Sequence, residues 1–272
     1  MKKFKIILAL VASFYLTTSC SNDDNNSVTG DHFPSTVSNY WIYGVKSINN
    51  TTKTTVTSQD YLTVLSGNQI NFNLGVNSGN LANGLMNSLL TIGSLNKTAS
   101  ALSIDGGLKI PIIGFDALTI PLSKAVLYDI NAANNANLST FSGTYTQDIQ
   151  GFPLTFKYNL TFKKIQNLSS IKVNNITYSN VTATSIKLNM EISTTIKIQN
   201  INTTFPILKS KDILVTTSYY GDKVGLLSAT STIDFNLDAT TLALLKQLNV
   251  TLTIPDSKST TNIQELSSYV VK

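Results

Sequence analysis

Cysteine, histidine and glutamate, which often serve as nucleophiles, general bases or metal ligands, are scarce in this chain of 272 residues. It has one cysteine, Cys20, one histidine, His32, and two glutamates, Glu191 and Glu265. A Ser-His-Asp or Cys-His arrangement needs its histidine on a rigid element, but His32 precedes the first predicted strand. A zinc site built from His and Cys needs more of these residues than the chain contains. The sequence therefore predicts a non-enzymatic protein without a metal or other cofactor.

The basic residues do not indicate a nucleic-acid partner. All 20 of them are lysines, and the formal net charge is +5. Arginine supplies the planar fork that binds phosphate and guanine in a bidentate manner, and this chain has none. Three of the lysines, Lys2, Lys3 and Lys5, lie in a segment that we expect to be removed, which lowers the net charge to +2. We predict no nucleic acid among the partners.

The first residues have the organisation of an export signal. Lys2, Lys3 and Lys5 precede an apolar stretch over 6–16, and small polar residues then lead to Cys20. This pattern predicts a signal peptide over 1–19. A retained transmembrane helix is the weaker alternative, because about 20 apolar residues are needed to cross a bilayer and the stretch has 11.

The residues that end this segment resemble the lipobox of bacterial lipoproteins. The sequence there is Leu16-Thr17-Thr18-Ser19-Cys20. In that family the signal is cleaved before the cysteine, whose thiol carries diacylglycerol and whose new amino terminus is acylated with a fatty acid such as palmitate. The resemblance implies that Cys20 is a lipidation site and that this anchor holds the protein on a membrane, because two or three acyl chains give stable binding. An unmodified thiol is the alternative.

A short acidic run follows Cys20. The sequence Ser21-Asn22-Asp23-Asp24-Asn25-Asn26 cannot bury apolar surface, which predicts a flexible tether over 20–32. The run also resembles the acidic export signal that follows the lipidated cysteine in surface lipoproteins of the Bacteroidetes. This resemblance implies an address on the outer membrane, at the cell surface.

Alternation of apolar and polar residues dominates the rest of the chain and predicts antiparallel strands with one buried face. We expect a single, mainly β domain over 33–272 with one or two short helices covering the sheet. The clearest alternation lies over 154–163 and 186–198. Further strands are predicted around 41–45, 61–65, 70–76, 139–149, 213–219, 233–237, 250–254 and 263–271. Helical spacing of leucines predicts helices over 81–90 and 242–248, the second with Asp238 as its N-cap.

Motifs at the two ends of this domain resemble those of uncharacterised Bacteroidetes lipoproteins. Phe33-Pro34 and the sequence NYWIY over 39–43 open the domain, and the sequences YYGDKVGL over 219–226 and ELSSY over 265–269 close it. That family opens with F-P and W-x-Y and closes with a Y-Y-x-x-G-V-G-L hairpin and an E-L-x-x-Y strand. The resemblance implies a single, strongly curved antiparallel sheet or open half-barrel, similar to periplasmic lipoprotein carriers. It implies no established activity.

These observations favour an outer-membrane lipoprotein that binds an apolar or amphiphilic ligand, or a partner protein, on its curved sheet. Ligand binding requires an apolar cavity of at least about 300 Å³. A surface adhesin or glycan-binding module is the alternative, and a hydrolase built on two aspartates is third. The residues predicted to face the ligand are Phe156, Tyr158, Leu160, Leu188 and Met190.

Overall fold

The computed structural model describes residues 30–109, 119–149, 152–198, 200–250, 252 and 254–272. The predicted signal peptide over 1–19, the predicted lipidation site Cys20 and the tether up to residue 29 lie outside the described residues.

The described residues form twelve strands in one antiparallel sheet. Except for β6 and β7, strands that follow each other along the chain are neighbours in the sheet, so the chain winds up and down. The first and last strands pair with each other, and β6 and β7 are the two edges. The strands are β1 Tyr40–Asn49, β2 Thr55–Gly67, β3 Asn71–Val76, β4 Ser94–Lys97, β5 Ala101–Lys109, β6 Thr119–Asp129, β7 Asn137–Ile149, β8 Phe152–Val173, β9 Ile176–Ile198, β10 Ile201–Gly221, β11 Gly225–Asn236 and β12 Ser257–Val270.

The sheet curls into a nearly closed barrel. The prediction of one curved antiparallel sheet is confirmed, and the sheet closes further than the predicted half-barrel. Its edges meet because β6 packs against β7 and β8. The Val126 amide donates to Ser139 Oγ at 3.0 Å, and the buried Lys164 ammonium donates to the carbonyl oxygens of Ile130 and Ala132 at 2.7 and 2.6 Å. One side-chain hydrogen bond therefore joins the two edge strands, and Lys164 of β8 holds the connection that follows β6.

Two helices accompany the sheet in the described part of the chain. Helix α2, Ala239–Gln247, begins where Asp238 accepts a hydrogen bond from the Thr241 amide, which confirms the predicted N-cap. Helix α1, Leu85–Leu90, is shorter than predicted, because residues 81–84 are not helical and Gly84, which precedes the helix, has extended backbone angles.

The folded domain begins before Phe33, so the predicted extension of the tether to His32 is wrong. His32 is 1% exposed, and its Nε2 lies 2.9 Å from the Asn180 carbonyl oxygen. Asp31 forms an ion pair with Lys97 at 2.9 Å, and Phe33 is fully buried. Aromatic packing and a buried acceptor for the imidazole hold this segment against the barrel.

Candidate functional site

A cavity of about 510 Å³ opens beside α1, and we call this region of the barrel the cavity end. Its lining comes from α1 and the segment that precedes it, and from strands β3, β5, β9 and β10. The cavity exceeds the 300 Å³ that ligand binding requires. Its apolar lining residues are Leu74, Val76, Leu81, Ala82, Leu85, Met86, Leu89, Ile92, Leu108, Ile186 and Leu214.

A buried carboxylate fixes the segment that forms one wall of this cavity. Asp60 on β2 is fully buried and accepts five hydrogen bonds of 2.8 to 3.0 Å. The donors are the side-chain amides of Asn77, Asn83 and Asn87 and the backbone amides of Asn83 and Gly84. Burial alone would raise the pKa of the Asp60 carboxyl, but these hydrogen bonds outweigh it, so the pKa lies below its usual range.

Polar side chains on the inward face of β12 bind the beginning of α1. Asn262 Oδ1 accepts from the Leu85 amide at 3.1 Å, and Gln264 Oε1 accepts from the Met86 amide at 2.6 Å. Asn262 Nδ2 also donates to Ser47 Oγ on the neighbouring strand β1 at 2.9 Å. These bonds satisfy backbone donors that a helix leaves free in its first turn. The sheet therefore holds α1 from both β2 and β12.

Two hydroxyl groups of the described cavity lining donate hydrogen bonds within the protein. Thr216 donates to Ser231 at 2.8 Å, and Thr91 donates to carbonyl oxygens of its own helix. Among the described lining residues, Lys109 is the only one with a charged side chain. Over the described part of the chain, no three His, Cys, Asp or Glu side chains lie close enough to hold a metal ion.

The residues predicted to face a ligand lie elsewhere in the core. Phe156, Leu160, Leu188 and Met190 are buried, and Tyr158 is half-buried. None of these five is among the described residues that line the cavity. They occupy paired positions of β8 and β9, where Leu160 is opposite Leu188 and Tyr158 is opposite Met190. On β9 the residue that lines the cavity is Ile186, the inward-facing residue just before Leu188.

Sequence reasoning did not find Asp60, Asn262 and Gln264. The sequence does contain a signal for Asn262 and Gln264. They lie four and two residues before the buried Leu266, so all three side chains are on the inward face of β12. Asp60 likewise shares its face with buried Leu62 and Val64. Polar residues at buried positions of an alternating strand need partners, and here the segment around α1 supplies them.

A second region, near the β10–β11 turn, is filled by aromatic side chains, and we call it the aromatic end. Phe33 packs against Trp41 and Phe72 with ring centroids 5.2 and 5.8 Å apart. Trp41 Nε1 donates to the Val224 carbonyl oxygen, and the Tyr43 hydroxyl donates to that of Leu226 at 2.9 Å. The motif residues at the beginning and end of the domain thus meet in one buried cluster.

No helix in the described part of the chain is long and apolar enough to span a membrane. The chain matches no protein-family model, no curated protein sequence and no solved structure.

Proposed function

We propose that this protein is a non-enzymatic lipoprotein of the outer membrane, exposed at the cell surface, that binds an apolar or amphiphilic ligand in the cavity beside α1. The observation that carries the proposal is the cavity of about 510 Å³ with its predominantly aliphatic lining. Small-molecule sites are typically apolar clefts of about 300–1,000 Å³ with few polar groups. This description fits the cavity better than it fits the outer face of the barrel.

The exposure of Leu81 supports entry of an apolar ligand at this end. Leu81 lines the cavity and is 91% exposed, the highest value among the exposed large hydrophobic residues of the described chain. Leu85 lines the same cavity and is half-buried. A ligand chain that covered these side chains would remove apolar surface from water, which contributes about 25 cal/mol for each Å².

Blocking the cavity tests the proposal. Ser88 is an exposed residue of α1 that lines the cavity, so Ser88→Trp places a large ring at the cavity without replacing a core residue. Ala243→Trp is the matched control, because Ala243 is an exposed residue of α2 outside the cavity lining. We expect a fluorescent fatty acid, titrated into the full chain carrying Cys20→Ala, to bind the control as it binds the parent chain. Binding to Ser88→Trp should be at least about tenfold weaker. Equal affinities for the two variants would refute the cavity as the site.

The membrane anchor is tested at Cys20. If its thiol carries diacylglycerol, Cys20→Ala should abolish incorporation of labelled palmitate and release the protein from the membrane fraction, because the acyl chains supply the stable anchoring. Cys20→Ser is a closer match in size and should behave in the same way. Unchanged fractionation of both variants would refute the lipoprotein assignment.

A glycan-binding surface is the second candidate, and one observation favours it. The rings of Tyr40 and Tyr61 stack 5.2 Å apart, with Tyr61 41% exposed. Trp41 is fully buried and cannot stack against a sugar. Glycan-array binding that is lost in Tyr61→Ala and kept in Ser88→Trp would favour this function over the cavity.

A further inference from the structure

We propose that the cavity ligand is a single-chain amphiphile with an anionic head group, and that Lys109 binds that head group. The inference rests on the proposed function of the cavity and specifies its substrate class. It follows from two features of the lining: the distribution of charge and the size of the cavity.

Among the described lining residues, one side chain carries a charge. Lys109 is the last residue of β5 and is exposed, while the preceding Leu108 is half-buried in the cavity wall. The described lining residues include no carboxylate that would neutralise this ammonium group or repel an anion. In the part of the chain that the structure describes, Lys109 forms no ion pair.

Its position in the described cavity lining distinguishes Lys109 from the other described lysines, several of which form ion pairs. Lys97, Lys187 and Lys211 each pair with an aspartate at 3.4 Å or less. Lys109 combines a long apolar stem beside the cavity with an ammonium group that can reach water. An amphiphile would place its chain against the leucines of the lining and its negative charge at this ammonium group.

The size of the cavity favours one chain. A volume of about 510 Å³ lies in the lower half of the range for small-molecule sites. Apolar residues of the described lining come from α1 and its flanking segments and from β3, β5, β9 and β10, and Lys109 is the last residue of β5. This arrangement places one charged position at the end of a strand that borders an apolar compartment, as a single chain with a terminal head group requires.

Three ligands with the same chain length but different heads test the inference: palmitate, cetyl alcohol and cetyltrimethylammonium. Each is titrated below its micelle concentration into the full chain carrying Cys20→Ala. We expect palmitate to bind about threefold to fivefold more tightly than the alcohol, as for an exposed ion pair, and the cationic ligand to bind most weakly. Shortening palmitate by one methylene should weaken binding about fourfold.

Substitutions of Lys109 test whether its charge causes the preference for palmitate over cetyl alcohol. Lys109→Gln should remove the preference for palmitate over the alcohol, and Lys109→Glu should reverse it. Lys46→Gln is the control, because Lys46 is an exposed lysine of β1 outside the cavity lining. In 1 M salt, where the Debye length is only about 3 Å, the preference should shrink in the parent chain.

Each of the other possible results would refute a specific part of the proposal. Equal binding of palmitate and the alcohol, with both reduced by Ser88→Trp, would refute the head-group assignment and retain the cavity. A palmitate preference that survives Lys109→Gln and Lys109→Glu would place the charge recognition elsewhere. Binding of none of the three ligands would refute the cavity function as well.

Discussion

The two ends of the barrel are filled in different ways. At the aromatic end, Phe33, Trp41 and Tyr220 are buried, and the indole and the Tyr43 hydroxyl donate to backbone carbonyl oxygens. At the cavity end, the side chains of Asp60, Asn262 and Gln264 accept hydrogen bonds from backbone amides at the beginning of α1 and in the irregular segment before it. The side chains of the described residues leave a cavity of about 510 Å³ beside them.

Because of this difference, we expect the two ends to contribute differently to stability and to ligand affinity. Large rings fill the aromatic end, and two of them join β1 to the β10–β11 hairpin. The cavity end depends on directed hydrogen bonds that position a wall and leave apolar surface available. We therefore expect substitutions at the aromatic end to lower stability with little effect on ligand affinity, and substitutions in the Asp60 network to lower both.

The largest effect is expected for Trp41→Ala. It removes the most voluminous fully buried side chain and its hydrogen bond to Val224, so the free energy of unfolding should fall by about 4 kcal/mol. Denaturant unfolding measures this loss. Val56→Ala, at an exposed position, should change stability by less than about 0.5 kcal/mol. A Trp41→Ala protein that remained as stable as Val56→Ala would contradict the structural role of the aromatic end.

Asp60→Asn should have the next largest effect. All five groups that contact the carboxylate are donors, so the new amide NH₂ would face further N–H groups. We expect a loss of about 3 kcal/mol in unfolding free energy, as when one partner of a buried charged network is removed. Fatty-acid affinity should fall in the same variant. Asp256→Asn, at an exposed position, is the control and should change neither quantity.

The pH dependence of stability gives a smaller effect with a defined sign. Because the folded state lowers the pKa of Asp60, its contribution is complete above the unfolded pKa of about 3.9 and is lost as the pH falls through the folded pKa. Unfolding measured from pH 7 downward should show the parent chain losing its advantage over Asp60→Asn below about pH 4. A constant difference between the two proteins across this range would contradict the network.

The smallest effect is expected in the β10–β11 turn at the aromatic end. Lys223 is exposed and has a φ of 58°, in the left-handed region that favours glycine. Lys223→Gly retains the backbone hydrogen bond to the Asp31 carbonyl oxygen, so stability should rise by up to about 1 kcal/mol, seen as a higher Tm. A lower Tm would show that the lysine side chain itself stabilises the turn.

Local patterns predicted much of the fold. Alternation over 154–163 identified β8 and its inward residues, and Asp238 marked the beginning of α2. The same alternation misled for 250–254, where the described residues Val250 and Ile254 are buried but lie in the connection after α2 and not in a strand. Two apolar residues at strand spacing can pack onto a core without joining a sheet.

The candidate site could be predicted only in part, because it depends on long-range closure. The sequence indicated an apolar ligand but placed it at Phe156, Leu160 and Leu188, which the structure buries. Which inward residues remain uncovered is decided by where α1 lies, and that position depends on contacts between residues as distant as Met86 and Gln264. A pattern of neighbouring residues does not show which distant residues will be in contact.

The most direct test of ligand binding at the cavity end is a crystal structure of the protein with a bromine-labelled fatty acid. We predict an anomalous peak from the bromine on the chain beside α1, within contact of Leu89, Ile186 and Leu214, and the carboxylate near Lys109. A bromine peak at the stacked Tyr40 and Tyr61, or a cavity without ligand in crystals that bind the fatty acid elsewhere, would contradict this account.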